Sequence, residues 1–153
     1  MAIRTILNES DEQLHKICRP VTEFGERLWQ QLDDMAETME QANGVGLAAP
    51  QVGILRRFFV MDVGDGLVEA INPMIIAKKG TQEGTEGCLS SPGKWGIVER
   101  PKKVILKAQD RYGKEFTLSA EDLAARCICH ESDHLDGILF TQKASSMLEP
   151  DDR

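Results

Sequence analysis

The spacing of apolar residues predicts two helices in the first third of the chain. In the longer one, which begins near Gly25, apolar residues recur at intervals of four, three and four: Leu28, Leu32, Met35 and Met39. This stripe is typical of an amphipathic helix, and Asn43-Gly44 supplies a signal that ends it. A shorter helix is predicted over residues 11–18, with Ser10 as its N-cap.

Short segments rich in β-branched and aromatic residues predict strands in the middle of the chain. They cover residues 57–63, 68–71, 104–108 and 115–118. A turn sequence at residues 110–114 separates the last two, with Gly113 at a position that favours positive φ. We therefore expect a largely antiparallel sheet.

A second long helix is predicted near the C-terminus. It begins after Ser119, which with Asp122 fits a capping pattern, and it ends at Gly137. One stripe of this helix has the intervals four, three and four: Leu123, Cys127, His130 and His134. Both histidines of this stripe therefore lie on one face of the helix.

Composition is that of an ordinary globular protein. The chain has 153 residues, 41% hydrophobic and 28% charged, with no repeat or linker, so we expect a single domain over residues 1–153. Its 18 basic and 25 acidic residues give a formal net charge of −7, which argues against a general nucleic-acid binder and a basic membrane-surface helix.

The sequence offers no signal for export or membrane insertion. The first residues lack a secretory signal, and no apolar run approaches the roughly 18 residues of a membrane span. We therefore expect a cytoplasmic protein without membrane contact. The four cysteines form no CxxC pair, and we expect them to be reduced.

Residues 130–134 read HExxH. On a helix His130 and His134 lie one turn apart, so the two imidazoles can hold one divalent metal ion. Glu131 lies about 100° further round, where it cannot be an equivalent ligand but can accept and return the proton of a water molecule. The alternative is two ordinary helix-face histidines, although the chain has only 3 histidines in all. The motif favours metal-dependent hydrolysis.

A third metal ligand must come from elsewhere in the chain, because catalytic sites commonly use three protein ligands and one open position. Cys88 is the best candidate, since glycines on both sides let the backbone bend towards a metal. The alternative for Cys88 is a small buried core residue, the common fate of a free cysteine. Cys18 and Cys127 are expected to be core residues.

The run GVGLAAPQ at positions 44–51 allows a close backbone approach. It lacks the GK[ST] sequence and the following helix start of a phosphate loop, so we reject a nucleotide site. A tight loop after the first long helix would explain Gly44 and Gly46, but not the small residues through Ala49. Gln51, at the end of the run, offers an amide donor.

Three stretches together resemble the signature motifs of the bacterial peptide deformylases: GVGLAAPQ at 44–51, EGCLS at 86–90 and HESDH at 130–134. Further similarity runs from Ile3 to about Phe140, including CRPV at 18–21 and VERPKKV at 98–104. The resemblance implies an α+β fold in which antiparallel β-sheets pack around the C-terminal HExxH helix. It also implies an enzyme that removes the N-formyl group from the first methionine of new polypeptides and releases formate.

The resemblance implies a role for each matching residue. Three residues would hold the metal: Cys88, His130 and His134. Glu131 would be the catalytic acid and base, and Gln51 with the backbone N–H of Leu89 would stabilise the oxyanion. Gly46 would bind the substrate through its backbone. The methionine side chain would lie near three residues: Val45, Leu89 and Cys127.

The resemblance also implies a cofactor and a partner. Fe(II) would be the working ion, with Zn, Ni or Co able to use the same ligands, and two imidazoles with a thiolate suit all four metals. The partner would be formylmethionyl nascent peptides, with no direct nucleic-acid binding. Longer members of the family dock on the ribosome through a basic C-terminal helix. This chain ends in a short acidic stretch, so we do not expect docking by that route.

Some positions depart from the family pattern. Cys129 stands where Gln usually precedes the HExxH motif, and Trp95 stands where the family often has a polar or basic side chain. One basic run is expected to be a solvated strand edge, with a binding patch as the alternative: Arg100, Lys102 and Lys103. Asp133 either pairs with a basic neighbour or stays exposed.

Two other functions stay open at this point. One is an HExxH metallopeptidase that cleaves within peptides, but no further downstream His or Glu stands in a plausible second motif, which makes Cys88 the better third ligand. The other is a binding module that sequesters metal or peptide on a deformylase scaffold. That module would have no need of the catalytic residues, and all of them are present in this chain.

Overall fold

The computed structural model describes residues 2–148, so the acidic end at residues 149–153 lies outside the described residues. Residues 2–148 form three α-helices: α1 (Glu26–Gln41), α2 (Asp122–Leu135) and α3 (Phe140–Lys143). They also form eight strands: β1 (Gly46–Ala48), β2 (Phe58–Met61), β3 (Val68–Lys79), β4 (Gln82–Cys88), β5 (Ser91–Arg100), β6 (Lys103–Gln109), β7 (Glu115–Glu121) and β8 (Ser146–Met147). Two 3₁₀ helices cover Glu12–His15 and Ala49–Val52.

The strands form two antiparallel sheets. The larger has five strands in the order β1-β2-β3-β6-β7, and the smaller has three in the order β4-β5-β8. Helix α2 contacts both sheets, which confirms the expected α+β arrangement around the HExxH helix. Within residues 2–148 no helix is both long enough and apolar enough to span a membrane.

Strand β2 shows why two cores form on the two faces of the large sheet. Its side chains alternate, as strand geometry requires. Phe59 and Met61 pack into the core that holds α2, whereas Phe58 and Val60 pack into the core that holds α1. The HExxH helix is thereby fixed against one face of the sheet.

Several predicted elements are confirmed and three details are wrong. Helix α1 has the expected bounds, and the β6–β7 hairpin turns at Gly113 with φ of 83°. The short first helix is only one 3₁₀ turn, and its cap is the side chain of Asp11 rather than Ser10. Ser119 lies within β7, so it does not cap α2, whose N-cap position is Glu121.

The N-terminal segment is tied to α1 through Asp34. The Asp34 carboxylate accepts hydrogen bonds from the backbone N–H of Ala2 at 2.8 Å, from Gln30 at 2.7 Å and from Arg4 Nε at 3.0 Å. Burial alone would raise the pKa of Asp34, but these donors and the charge of Arg4 outweigh it and hold the pKa below its usual value. The charged form of Asp34 therefore stabilises the fold.

Candidate active site

Helix α2 presents His130 and Glu131 of the HExxH motif to a cavity. His130, Glu131 and His134 are all buried, and the two imidazole centroids lie 5.0 Å apart. The ring of His130 also stacks on Phe140 of α3, with centroids 6.0 Å apart. The one-turn spacing expected from the sequence thus places both rings on one side of the helix.

Cys88 reaches the histidines from the end of β4. A register shift between Glu86 and Cys88 interrupts the β4–β5 pairing just before the thiol, so the strand bends at this point. The Sγ atom lies 3.3 Å from Nε2 of His134. The possible ligand atoms of Cys88, His130 and His134 all lie within 4.8 Å of one another. The structure brings together the three residues that the sequence predicts as metal ligands.

The surroundings of these residues suit a cation. Burial and the charge of His130 lower the pKa of His134, which keeps its ring in the neutral form that binds metals. Burial would also lower the pKa of His130, but the Glu131 carboxylate and the Cys88 and Glu86 side chains raise it well above its usual value. Positive charge is therefore favoured at this point. Two atoms at the site are buried without a partner among the described residues, Glu131 Oε1 and His134 Nδ1.

Glu131 lies against the backbone of β1. A Cβ added at Gly46 would be only 2.5 Å from Glu131 Oε2, so any larger residue would displace the carboxylate. Burial raises the pKa of Glu131 to about 7. The carboxyl group can therefore both accept and release a proton near neutral pH.

Gln51 directs its amide group at the cysteine. It is buried in the 3₁₀ helix after β1, where its Oε1 accepts the backbone N–H of Ala48 at 2.9 Å. Its Nε2 donates to Ser90 Oγ at 3.0 Å and lies 3.4 Å from Cys88 Sγ. Leu89 is in the two-residue turn between β4 and β5, beside the same sulfur. Both predicted oxyanion donors therefore neighbour Cys88.

A cavity of about 480 Å³ opens beside this cluster. Its lining includes the residues that the family resemblance assigns to substrate binding: Val45, Gly46, Leu89 and Cys127. Val45 is 44% exposed and lies at the mouth, whereas Cys127 is buried in the wall. Burial raises the pKa of the Cys127 thiol well above its usual value, so this sulfur stays protonated. Cys127 is thus both a core residue and part of the cavity wall.

Glu86 and Arg126 are site residues that the sequence reasoning did not assign. The Glu86 carboxylate accepts four hydrogen bonds, from Arg100 Nε and Nη2 at 2.9 Å each, from Arg126 Nη1 at 2.7 Å and from His130 Nδ1 at 2.9 Å. Burial alone would raise the pKa of Glu86, but the bonds from Arg100 and His130 lower it to about 2. A Glu86 that stays ionised keeps the His130 proton on Nδ1 and leaves Nε2 as the ligand atom.

The prediction that the basic run is a solvated strand edge is wrong for Arg100. It is 3% exposed and joins Glu86 to Asp133, whose Oδ2 accepts from Arg100 Nη1 at 2.6 Å. Asp133 therefore pairs with a basic neighbour, the first of its two expected outcomes. Only Lys102 and Lys103 are exposed, and each forms an ion pair, with Asp122 and Glu121 respectively.

Comparisons with known proteins point to one family. The family model described as polypeptide deformylase matches residues 3–149. The peptide deformylase of Caldicellulosiruptor bescii is 57% identical over 143 residues, which cover 94% of this chain and 86% of that protein. The peptide deformylase of Thermoanaerobacter pseudethanolicus is 52% identical over 153 residues, 100% of this chain and 96% of that protein.

Solved structures of peptide deformylases are also similar to this chain in fold and sequence. The peptide deformylase of Thermotoga maritima has a TM-score of 0.93 at 44% identity, and the match covers 95% of this chain and 100% of that one. A peptide deformylase from Synechococcus elongatus, in complex with actinonin, has a TM-score of 0.90 at 38% identity, covering 96% and 81% of the two chains.

Proposed function

The chain belongs to the polypeptide deformylase family, and we propose that Cys88, His130 and His134 hold its metal ion while Glu131 moves the proton in its reaction. It is a hydrolase that removes the N-formyl group from the first methionine of newly made polypeptides. The observation that carries the assignment of residues is the convergence of one sulfur and two imidazoles within 4.8 Å, beside a buried carboxylate.

The donor set fits a divalent transition metal. Two imidazoles and a thiolate can bind Fe(II), Zn, Ni or Co, and we propose Fe(II) as the working ion. When bound, the ion supplies Lewis acidity that makes water a better nucleophile and polarises the formyl carbonyl. Metal analysis of protein purified without air tests this choice: stoichiometric iron supports it, and zinc or nickel alone contradicts it.

The chain's own groups account for the proton transfers. Oε1 of Glu131, buried without a partner among residues 2–148, is the atom that we assign to accept the proton of the attacking water. The water oxygen bonds to the formyl carbon, and the C–N bond then breaks. Glu131 returns the proton to the departing amine nitrogen, so the products are formate and a free N-terminus. Gln51 Nε2 and the Leu89 N–H would donate to the oxygen that becomes negative between these steps.

Substrate binding uses the cavity and the edge of the large sheet. The methionine side chain enters the cavity beside Val45, Leu89 and Cys127. Strand β1 is the first strand of the sheet, so Gly46 can pair through its backbone with an extended peptide. The space around Gly46 is tight, which favours a formyl group, with only hydrogen on its carbonyl carbon, over a larger acetyl group.

Formate release tests the proposal. Metal-loaded protein should release formate from a formyl-Met-Ala-Ser peptide and little acetate from its acetyl counterpart. Glu131→Gln keeps the shape but not the base, and should lower kcat by about 10² to 10⁴-fold while metal content is unchanged. Glu99→Gln, an exposed glutamate on β5, is the matched control. Undiminished activity in Glu131→Gln, or cleavage within unformylated peptides instead, would overturn the proposal.

A further inference from the structure

Three large apolar side chains stand exposed at the mouth of the active-site cavity. Val45 is 44% exposed, Trp95 is 37% exposed and Leu123 is 52% exposed, and all three line the cavity. Exposed apolar groups that surround one opening are typical of a binding surface.

The indole of Trp95 is held as a fixed platform next to a metal ligand. A Cβ added at Gly87 would lie 2.7 Å from Cζ3 of Trp95, so the six-membered ring covers the backbone directly before Cys88. The carbonyl of Trp95 accepts the N–H of Leu148 at 2.8 Å. The next residue, Gly96, pairs with Met147 of β8. Strand β8 therefore fixes the backbone that carries the indole.

The surface beside this indole is electrically balanced. Its neighbour Lys94 forms an ion pair with Glu9, whose carboxylate also accepts Ser91 Oγ at 2.9 Å. Lys94 lines the same cavity and its side chain is 54% exposed, but its charge is paired with that carboxylate. A flat apolar face with a neutralised cation beside it suits an apolar side chain better than an acidic one.

The spacing of an extended peptide indicates which substrate residue reaches Trp95. Side chains alternate along a strand, so the first and third lie on one side, about 6 to 7 Å apart. If the methionine fills the cavity, the third side chain lies over its mouth. We propose that Trp95 is a specificity-determining residue that selects an aromatic or large aliphatic third residue in the formylated peptide. This inference rests on the proposed function.

Paired peptides test the inference. The full metal-loaded chain is assayed by formate release with formyl-Met-Ala-Phe and formyl-Met-Ala-Ser. We expect kcat/KM to favour the Phe peptide by about 2- to 10-fold, the range of an aromatic pair, and the difference to lie in KM. Trp95→Ala should abolish this ratio and Trp95→Phe should keep most of it. Tyr112→Ala removes an aromatic that is 71% exposed on the β6–β7 turn, and is the matched control.

Each outcome separates the two proposals. Formate release with no difference between the peptides, or a ratio that Trp95→Ala leaves unchanged, would overturn the inference and leave the proposed function standing. Trp95→Arg, which keeps a long side chain but removes the apolar face, gives the same test if the alanine variant does not fold. No release from either peptide by the parent protein would remove the proposed function, and the inference with it.

Discussion

Replacing Glu86 by glutamine tests how His130, one of the proposed metal ligands, is held. The carboxylate accepts four hydrogen bonds, two from Arg100 and one each from Arg126 and His130. A glutamine has the same shape but only one acceptor oxygen, and its NH2 group would face N–H donors. The substitution also leaves the two buried guanidinium groups with only one neighbouring carboxylate, the partly buried Asp133, in place of two.

The expected cost is large because both guanidinium groups are buried. Removing one partner of a buried ion pair typically costs about 3 to 5 kcal/mol. A domain of this size is stable by about 5 to 15 kcal/mol, and each kcal/mol shifts Tm by about 2 to 4 °C. We therefore expect Glu86→Gln to lower Tm by about 6 to 20 °C. Loss of the acceptor for His130 Nδ1–H should also weaken metal binding by about 10- to 100-fold.

The two effects can be measured separately. Urea unfolding in the presence of a chelator gives the stability of the metal-free protein, and chelator competition gives the metal affinity. Glu83→Gln, on the same strand but exposed, is the matched control and should change neither. A Glu86→Gln protein within about 1 kcal/mol of the parent would refute the reasoning that this carboxylate neutralises the buried arginines.

Two further predictions concern a close contact and a titrating group. Gly46→Ala would place a Cβ 2.5 Å from Glu131 Oε2, so kcat for formate release should fall by at least about tenfold with metal retained. Gly25→Ala, where no atom lies within 4 Å of the added Cβ, should behave as the parent, and equal rates in both variants would contradict the prediction. Asp34→Asn should lower stability by about 1 to 3 kcal/mol at neutral pH. Because the folded pKa of Asp34 is depressed, its contribution is complete above the unfolded pKa of about 4 and is lost as pH falls through the folded pKa. Urea unfolding from pH 7 to pH 3 measures the difference in free energy of unfolding between the parent and Asp34→Asn. This difference should become smaller only below about pH 4, and a difference that stays constant over this range would contradict the assignment.

The helices and the relative placement of the two HExxH histidines could be predicted because their signals are local. Residues 130–134 lie within one turn of α2, so their spacing alone fixes the relative positions of His130 and His134. Likewise the turn at Gly113 and the stripe along α1 depend on neighbouring residues. The roles of Gln51 and Leu89 came from the family resemblance, since a lone amide and a backbone N–H have no spacing pattern.

Strands β4 and β5 could not be predicted because the side chains that they bury include charged residues, so the sequence shows no regular apolar alternation. The only fully buried residue of β4 is Glu86, so the strand lacks the alternation that marks a half-buried sheet. The prediction that Arg100 is solvated is wrong because its charge is paired inside the protein. Its partners Glu86 and Asp133 are 14 and 33 residues away, and nothing in the sequence near Arg100 indicates either contact. A buried ionic network joins residues that are far apart in the sequence, so local sequence patterns do not predict it.

Anomalous diffraction from crystals of the fully metallated protein tests the central assignment most directly. We expect one metal peak per chain, bonded to Cys88 Sγ at about 2.3 Å and to one nitrogen of each of His130 and His134 at about 2.1 Å. A peak that lacks any one of these three ligands, or that lies away from α2, would contradict it.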